Sequence, residues 1–255
     1  MIHPPQDPPW CPEGWRRDTF VHGDRTYVYY EAQHGTSRKR RPAVLLLHEL
    51  PGITEHLVEL ADTLSEDFRV FVPSILGRDG SPSMAGSARE ICVRREVHLF
   101  GSDAVSRSTG WLKAFAAEHL APNGRYGVIG MCFSGGYALA LAVDPSVAAA
   151  VVAQHATPIL PVRSLGLSKA DQAALEENDD LEVRAYRFGC DAMAPAAKAV
   201  AAKRMLGDRV VVTTLAKPRW VAHSTLTGPD ASDRAIAEVR EFLTERLRKK
   251  PWWSA

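Results

Sequence analysis

The sequence predicts an α/β protein in which a mainly parallel β-sheet carries helices on both faces. From residue 43 onward, short apolar runs alternate with longer amphipathic segments, which is the pattern of consecutive strand–helix units. The run at residues 43–47 is apolar throughout, as expected of a parallel strand that is buried on both faces. The chain of 255 residues, with 45% hydrophobic residues, is large enough for one such domain with a sizeable core.

The N-terminal part is predicted to be an arm followed by a hairpin. Residues 1–17 hold five prolines and two tryptophans, a composition that favours an extended segment lying on the surface. The single domain then covers residues 18–255. Within residues 20–30, two β-rich runs flank Gly23 and Asp24, which predicts an antiparallel hairpin.

The central part is predicted to begin the parallel sheet. A helix at 54–66 follows the strand at 43–47, because its leucines recur on one face, and a strand at 68–72 ends at Pro73. Residues 74–104 form a long irregular connection of the kind that shapes a pocket. The predicted elements after it are a helix at 104–119, a strand from Tyr126, a helix from Phe133 and a strand at 147–153.

The C-terminal part continues the alternation after an insertion at residues 155–180. The clear element of this insertion is a helix beginning at Ser168, which is a good N-cap residue, with Asp171 near the positive end of the helix. Strands at 181–188 and 209–215 then alternate with helices at 195–206 and 231–249.

Composition excludes several classes of protein. The net charge of +1 gives no reason to expect a nucleic-acid or membrane partner, and no apolar run is long enough to span a bilayer. The N-terminus lacks the features of a secretion signal. The histidines have no ligand spacing, so no metal is expected, and the glycines of residues 127–136 match neither a dinucleotide-binding nor an NTP-binding loop, so no cofactor is expected. The four cysteines form neither a metal clip nor a disulfide framework, which favours the cytoplasm; they are Cys11, Cys92, Cys132 and Cys190. A monomer or a homodimer is expected.

The segment from Tyr126 to Ala142 contains the main chemical motif. A strand that turns sharply into a helix holds its apex residue in a strained conformation, and the residues two positions before and after it must be small. Here Cys132 is at the apex, between Gly130 and Ser134. We interpret this as a nucleophile elbow that uses cysteine. The alternative is a tight turn around a buried, inert thiol.

Four further residues could complete the site. A cysteine attacks as a thiolate and needs a base, which His223 can provide, while Asp191 can orient the histidine. Cys132, Asp191 and His223 each follow a predicted strand, at the edge where ligands bind in such sheets, and their order along the chain is that of α/β-hydrolases. The oxyanion needs backbone donors, which we assign to the amides of Phe133 and Leu50. Asp191 as a helix cap and His223 as a surface histidine are the alternatives.

These motifs resemble those of the dienelactone hydrolase family. Residues 130–136 match its cysteine elbow, 48–52 its glutamate loop, 189–195 its acid loop and 223–224 its histidine loop. The resemblance runs from about residue 40 to the C-terminus and leaves out 155–180. It implies a triad of Cys132, Asp191 and His223, with Glu49 activating the thiol, and cleavage of an ester or lactone through a covalent acyl-enzyme. Alternatively, Glu49 could have only a structural role.

The resemblance also bears on the substrate. Family members that act on dienelactone bind its carboxylate with two arginines, and Arg78 matches one of them. Thr227 stands where the other is expected, so a neutral ester or lactone is at least as good a candidate unless another arginine substitutes (Arg94, Arg163 or Arg219). A solvated Arg78 is the alternative. Two other functions stay open, namely a thioesterase or acyltransferase for a larger substrate, and a non-catalytic relative that binds a small ligand.

Overall fold

A computed structural model, which describes residues 9–33, 41–81 and 103–248, contains one eight-stranded sheet. The strand order is β1-β2-β4-β3-β5-β6-β7-β8. β2 is antiparallel to both of its neighbours and the other pairs are parallel, which confirms the predicted mainly parallel sheet. The strands are β1 (Trp15–His22), β2 (Arg25–Ala32), β3 (Ala43–Leu47), β4 (Arg69–Pro73), β5 (Tyr126–Met131), β6 (Val147–Ala153), β7 (Glu182–Phe188) and β8 (Val210–Leu215).

Helices cover both faces of the sheet. They are α1 (Glu55–Ser65), α2 (Ala104–Ser108), α3 (Gly110–His119), α4 (Gly135–Leu141), α5 (Lys169–Glu177), α6 (Ala196–Leu206) and α7 (Asp233–Arg248). In the part of the chain that the structure describes, none of the helices is both long and apolar enough to cross a membrane.

The alternation of side chains along each strand divides the core into two layers. In β3, Val44 and Leu46 join the layer under α1 and α7, whereas Leu45 and Leu47 join the layer under α3, α4 and α6. Every residue of β3 is buried, as predicted for a strand between two helical layers. The two layers therefore hold the carboxyl ends of the central strands in fixed positions.

The predicted hairpin is present, but β1 begins at Trp15, inside the stretch assigned to the arm. Residues 15–17 pair with β2 because the Trp15 side chain is buried and its Nε1 donates to Asp62 Oδ1 at 2.8 Å. Trp10 packs edge-on against Tyr30, with 5.5 Å between the ring centroids. Both tryptophans thus contact the described part of the domain.

Two predicted helices differ from the observed ones. The helix predicted at 104–119 is divided into α2 and α3 at Thr109, whose backbone is not helical and whose hydroxyl donates to the Ser106 carbonyl at 3.3 Å. The helix predicted from Phe133 begins with a 3₁₀ turn at Cys132–Ser134, and α4 follows at Gly135. Residues 82–102, which make up most of the predicted connection at 74–104, lie outside the described residues. Residues 249–255 also lie outside them.

Candidate active site

Cys132 follows β5 directly and has a φ of 54°, in the left-handed region that few residues other than glycine adopt. The turn is so tight that a Cβ atom on Gly130 would lie 2.1 Å from the Ser134 carbonyl oxygen. The Ser134 Oγ accepts a hydrogen bond from the Met131 amide at 2.9 Å and lies 3.1 Å from the Leu47 carbonyl oxygen. The residue two positions after the cysteine is therefore small, as predicted, and also connects the turn to the end of β3.

Asp191 and His223 come from the loops after β7 and β8 and form a direct hydrogen bond. The His223 Nδ1–H donates to Asp191 Oδ2 at 2.7 Å. Asp191 Oδ1 accepts from the backbone amides of Met193, at 3.0 Å, and Ala194, at 3.4 Å. Asp191 thus orders its own loop, whereas α6 begins only at Ala196. Because a carboxylate only accepts hydrogen bonds, this contact leaves His223 Nε2 as the acceptor nitrogen.

The structure brings the cysteine, the histidine and the glutamate together. The Cys132 sulfur, a ring nitrogen of His223 and a carboxylate oxygen of Glu49 all lie within 4.8 Å of one another. His223 Nε2 is buried and has no hydrogen-bond partner among the described residues. The acceptor nitrogen of this ring can therefore take a proton without the breaking of an existing hydrogen bond.

The surroundings of Cys132 favour the protonated thiol. Burial, and then the negative charge of Glu49, raise the pKa of Cys132 to about 12. The backbone amides of Phe133 and Leu50 act in the opposite direction, since each hydrogen-bonds the sulfur and so stabilises the thiolate. The two amides that the sequence assigns to the oxyanion therefore both face the reactive atom.

Glu49 is buried and is held by neutral donors in the described part of the chain. Its Oε2 accepts from the Ser224 hydroxyl at 2.8 Å and from Gln154 Nε2 at 3.2 Å, and its Oε1 accepts from the Thr227 hydroxyl. Its loop is fixed by His48, whose Nδ1–H donates to the Glu49 carbonyl at 2.9 Å. The carboxylate is thus positioned without a salt bridge to any described residue.

The sequence did not single out Gln154 or Ser224 as site residues. Gln154 is the first residue after β6, so the rule that sites form at the carboxyl ends of parallel strands could have indicated it. Ser224 lies in the matched histidine loop, but its hydrogen bond to Glu49 depends on the conformation of that loop and could not be predicted. Thr227 was noted in the sequence only because an arginine is expected at its position; in the structure its hydroxyl donates a hydrogen bond to Glu49.

Arg78 is not among the residues that line the cavity at the site. It is exposed, whereas the cavity, of about 460 Å³, is bounded by the loops after β3 and β8. Of the proposed substitutes, Arg219 lines the cavity but forms two hydrogen bonds with Asp230, at 2.6 and 2.7 Å. Arg163 lies in a different cavity, beside α5 and α6, and residue 94 is outside the described ranges.

The same three side chains could hold a metal ion. Thiolate, imidazole and carboxylate are the ligand types that Zn²⁺ prefers, and Glu49, Cys132 and His223 bring one of each together. They come from three separate loops, which explains why the spacing of residues along the sequence predicts no such group. Both oxygens of Glu49 already accept hydrogen bonds, so a metal would compete with these contacts.

A mainly parallel sheet with a strained cysteine after β5, an acid after β7 and a histidine after β8 defines an α/β-hydrolase. The sequence profile of the dienelactone hydrolase family matches residues 27–183, more than half of the chain. The chain belongs to the dienelactone hydrolase family and is a carboxylic ester hydrolase, so the predicted family and enzyme class are confirmed. Asp191 and His223 follow the matched range.

Solved structures with the same fold differ strongly in sequence. One is assigned as a dienelactone hydrolase of Klebsiella pneumoniae subsp. pneumoniae, with 15% identity, coverage of 92% of this chain and 98% of that one, and a TM-score of 0.64. A dienelactone hydrolase-like promiscuous phosphotriesterase from metagenomic libraries has 18% identity, coverage of 91% and 98%, and a TM-score of 0.63. A cold-adapted esterase from an Arctic intertidal metagenomic library has 17% identity, coverage of 92% and 94%, and a TM-score of 0.57. Among curated protein sequences, no match to this chain is found.

Proposed function

We propose that this hydrolase cleaves a small neutral ester or lactone through an acyl-enzyme on Cys132. The observation that carries the proposal is the position of the Cys132 sulfur, at a left-handed turn and within 4.8 Å of a ring nitrogen of His223. The histidine is in turn held by Asp191. This arrangement of nucleophile, base and orienting acid is the one that nucleophilic catalysis requires.

In the first half of the reaction, His223 Nε2 takes the thiol proton and the Cys132 sulfur attacks the substrate carbonyl carbon. Asp191 stabilises the imidazolium that forms. The carbonyl oxygen gains the negative charge, and the amides of Phe133 and Leu50, which face the sulfur, are placed to donate to it. When the ester bond breaks, the leaving alkoxide takes the proton from His223, and the acyl group stays on the sulfur.

In the second half, water replaces the alcohol. His223 Nε2 takes a proton from the water, whose oxygen attacks the thioester carbonyl. The carbon–sulfur bond breaks, the thiolate is reprotonated from His223 and the carboxylic acid leaves. One water molecule is consumed for each ester bond, and the enzyme returns to its starting protonation state.

The proposed role of Glu49 differs from the one that the family resemblance implies. Both Glu49 oxygens already accept hydrogen bonds, whereas His223 Nε2 has a lone pair without a partner in the described structure, so His223 is the better acceptor. The charge of Glu49 raises the pKa of Cys132 and stabilises the nearby imidazolium. Glu49 thus keeps the cysteine protonated until substrate enters and then favours the charged histidine.

The charges around the cavity support a neutral substrate. Three acidic residues line it, namely Glu49, Glu55 and Asp230. Among the described residues that line it, Arg219 is the one arginine, and its guanidinium donates two hydrogen bonds to Asp230. Thr227 occupies the position of the second clamp arginine and donates to Glu49 instead. A substrate carboxylate would therefore meet like charges in this cavity rather than a pair of arginines.

The proposal can be tested with two esters that share a leaving group and a chain length. We expect kcat/KM for p-nitrophenyl butyrate to exceed that for the p-nitrophenyl monoester of succinic acid by about tenfold, and the difference to shrink at high salt. Stopped-flow or plate assays of nitrophenolate release measure both. Preference for the succinyl ester would contradict the neutral substrate. Binding of both esters without turnover would contradict hydrolysis and favour a ligand-binding relative.

A further inference from the structure

Gln154 shares an unusual backbone conformation with two residues at the proposed site. In the described ranges, three residues other than glycine have a positive φ, namely Cys132 at 54°, Gln154 at 36° and Cys190 at 57°. They follow the neighbouring strands β5, β6 and β7 within two residues, and Cys190 directly precedes Asp191. Strain of this kind concentrates at functional sites. The backbone conformation of Gln154, which lies between the other two residues along the sheet edge, is therefore that of a site residue.

The side chain of Gln154 connects two loops that carry the chemistry. It is fully buried, and its Nε2 donates to Glu49 Oε2 at 3.2 Å, in the loop after β3. Its Oε1 accepts from the Thr225 amide at 3.1 Å and from the Thr225 hydroxyl at 2.6 Å, in the loop after β8. His223 lies two residues before Thr225. One amide group therefore links the glutamate loop to the histidine loop.

The orientation of the Gln154 amide is dictated by its partners. A carboxylate can only accept a hydrogen bond, so the NH₂ group must face Glu49, and the Thr225 N–H can only donate, so the oxygen must face Thr225. Glutamine is thus the residue that offers a donor and an acceptor at this reach. A glutamate of the same shape would keep the acceptor for Thr225 and lose the donor for Glu49.

We propose that Gln154 is a positioning residue that couples Glu49 to the loop of His223. Residues 223–227 are otherwise held to Glu49 by two hydroxyl groups, those of Ser224 and Thr227. Gln154 adds the link to their backbone through the Thr225 amide. This inference rests on the proposed function, because it assigns Gln154 a part in keeping His223 beside Cys132 and in directing the carboxylate of Glu49.

The sharpest test is Gln154→Glu, which changes one donor into an acceptor without changing size. At about pH 8 the new carboxylate faces that of Glu49, so we expect kcat to fall about 100-fold with KM changed less than threefold. As the pH falls toward 5, one proton shared by the two carboxyl groups restores a donor, and kcat should recover relative to the wild type. A residue needed only for packing would not give this pH dependence.

The matched control is Gln172→Glu, the same change at an exposed glutamine of α5. It should leave both kcat and its pH profile as in the wild type. A second variant, Gln154→Asn, keeps the amide and suits the left-handed backbone, but is too short to reach both loops. We expect it to lower kcat at least tenfold at every pH, without recovery at acid pH, and thermal melts check that both variants fold.

The outcomes separate this inference from the proposed function. One outcome is that the wild type turns over p-nitrophenyl butyrate and that kcat is unchanged in Gln154→Glu and Gln154→Asn from pH 5 to 8. This result overturns the role of Gln154 and leaves the hydrolase proposal intact. Loss of kcat in Gln154→Glu without recovery at acid pH also overturns it, because the donor to Glu49 would then be irrelevant. A wild type without ester turnover overturns both.

Discussion

Replacing Asp191 with asparagine is expected to lower kcat for p-nitrophenyl butyrate by about 10³- to 10⁴-fold, as loss of the orienting carboxylate does in triad enzymes. The backbone amides of Met193 and Ala194 donate to Asp191 Oδ1, so the asparagine must keep its oxygen there. Its NH₂ group then faces His223 Nδ1 and makes this nitrogen an acceptor. The proton moves to Nε2, which can no longer take the proton of Cys132.

The control for this variant is Asp144→Asn. Asp144 also accepts from a nearby backbone amide, that of Ser146 at 2.8 Å, and from a side chain, the Tyr126 hydroxyl at 3.0 Å, but it lies in the turn before β6. Asp144→Asn should retain kcat within about threefold, since it touches no reacting group. Equal activity of Asp191→Asn and Asp144→Asn would show that the Asp191–His223 contact does not act in catalysis.

The protein is expected to lose about 2 kcal/mol of unfolding free energy between pH 7 and pH 5 through His155 alone. Burial, and then the charge of Lys198, lower the pKa of His155 from 6.5 to about 3. The ring packs against Gly136, where a Cβ atom would lie 2.7 Å from its Nε2. Protonation of His155 in the folded chain is therefore strongly disfavoured.

The direction of the effect follows from proton binding. Above about pH 6.5 His155 is neutral in both the folded and the unfolded chain, so it does not lower the free energy of unfolding there. Below that pH the unfolded chain binds a proton that the folded chain does not, and stability falls until about pH 3. Lys198, whose pKa burial lowers to about 8, stays protonated in both states below pH 7 and adds no slope in this window.

Urea unfolding at pH 7 and pH 5 measures this loss. His155→Gln should remove about 2 kcal/mol of the difference between the two pH values, whatever its effect on stability at pH 7. His56→Gln, at an exposed histidine on α1, is the matched control and should keep the wild-type difference. A His155→Gln variant with the same pH dependence as the wild type would mean that His155 does not titrate far below its ordinary range.

Local patterns were sufficient to predict most of the sheet. β6 spans 147–153 as predicted, because seven consecutive apolar residues between polar turns are typical of a strand that is buried on both faces. The start of α5 after Ser168 was predicted from a different local signal, a serine N-cap, and the Ser168 hydroxyl does accept a hydrogen bond from the Asp171 amide. Periodicity, caps and glycines are properties of short segments, so they can be recognised in a single sequence.

Contacts between distant loops could not be predicted in this way. Gln154 meets Glu49 and Thr225 across separations of 105 and 71 residues, and no local pattern marks such a meeting. The break at Thr109 depends on a hydroxyl group that competes with the helix backbone, which propensity alone does not resolve. Arg78 could be placed on a loop but not relative to the cavity, because exposure depends on how that loop packs.

The central claim is that the Cys132 sulfur carries the acyl group during turnover. Rapid acid quench of the wild type with p-nitrophenyl butyrate, followed by peptide mass spectrometry, tests it directly. We expect one butyryl group on the peptide that contains Cys132, none on those with the exposed Cys11 and Cys190, and neither adduct nor turnover in Cys132→Ala. Undiminished turnover by Cys132→Ala, or a butyryl group only on another residue, would contradict the account.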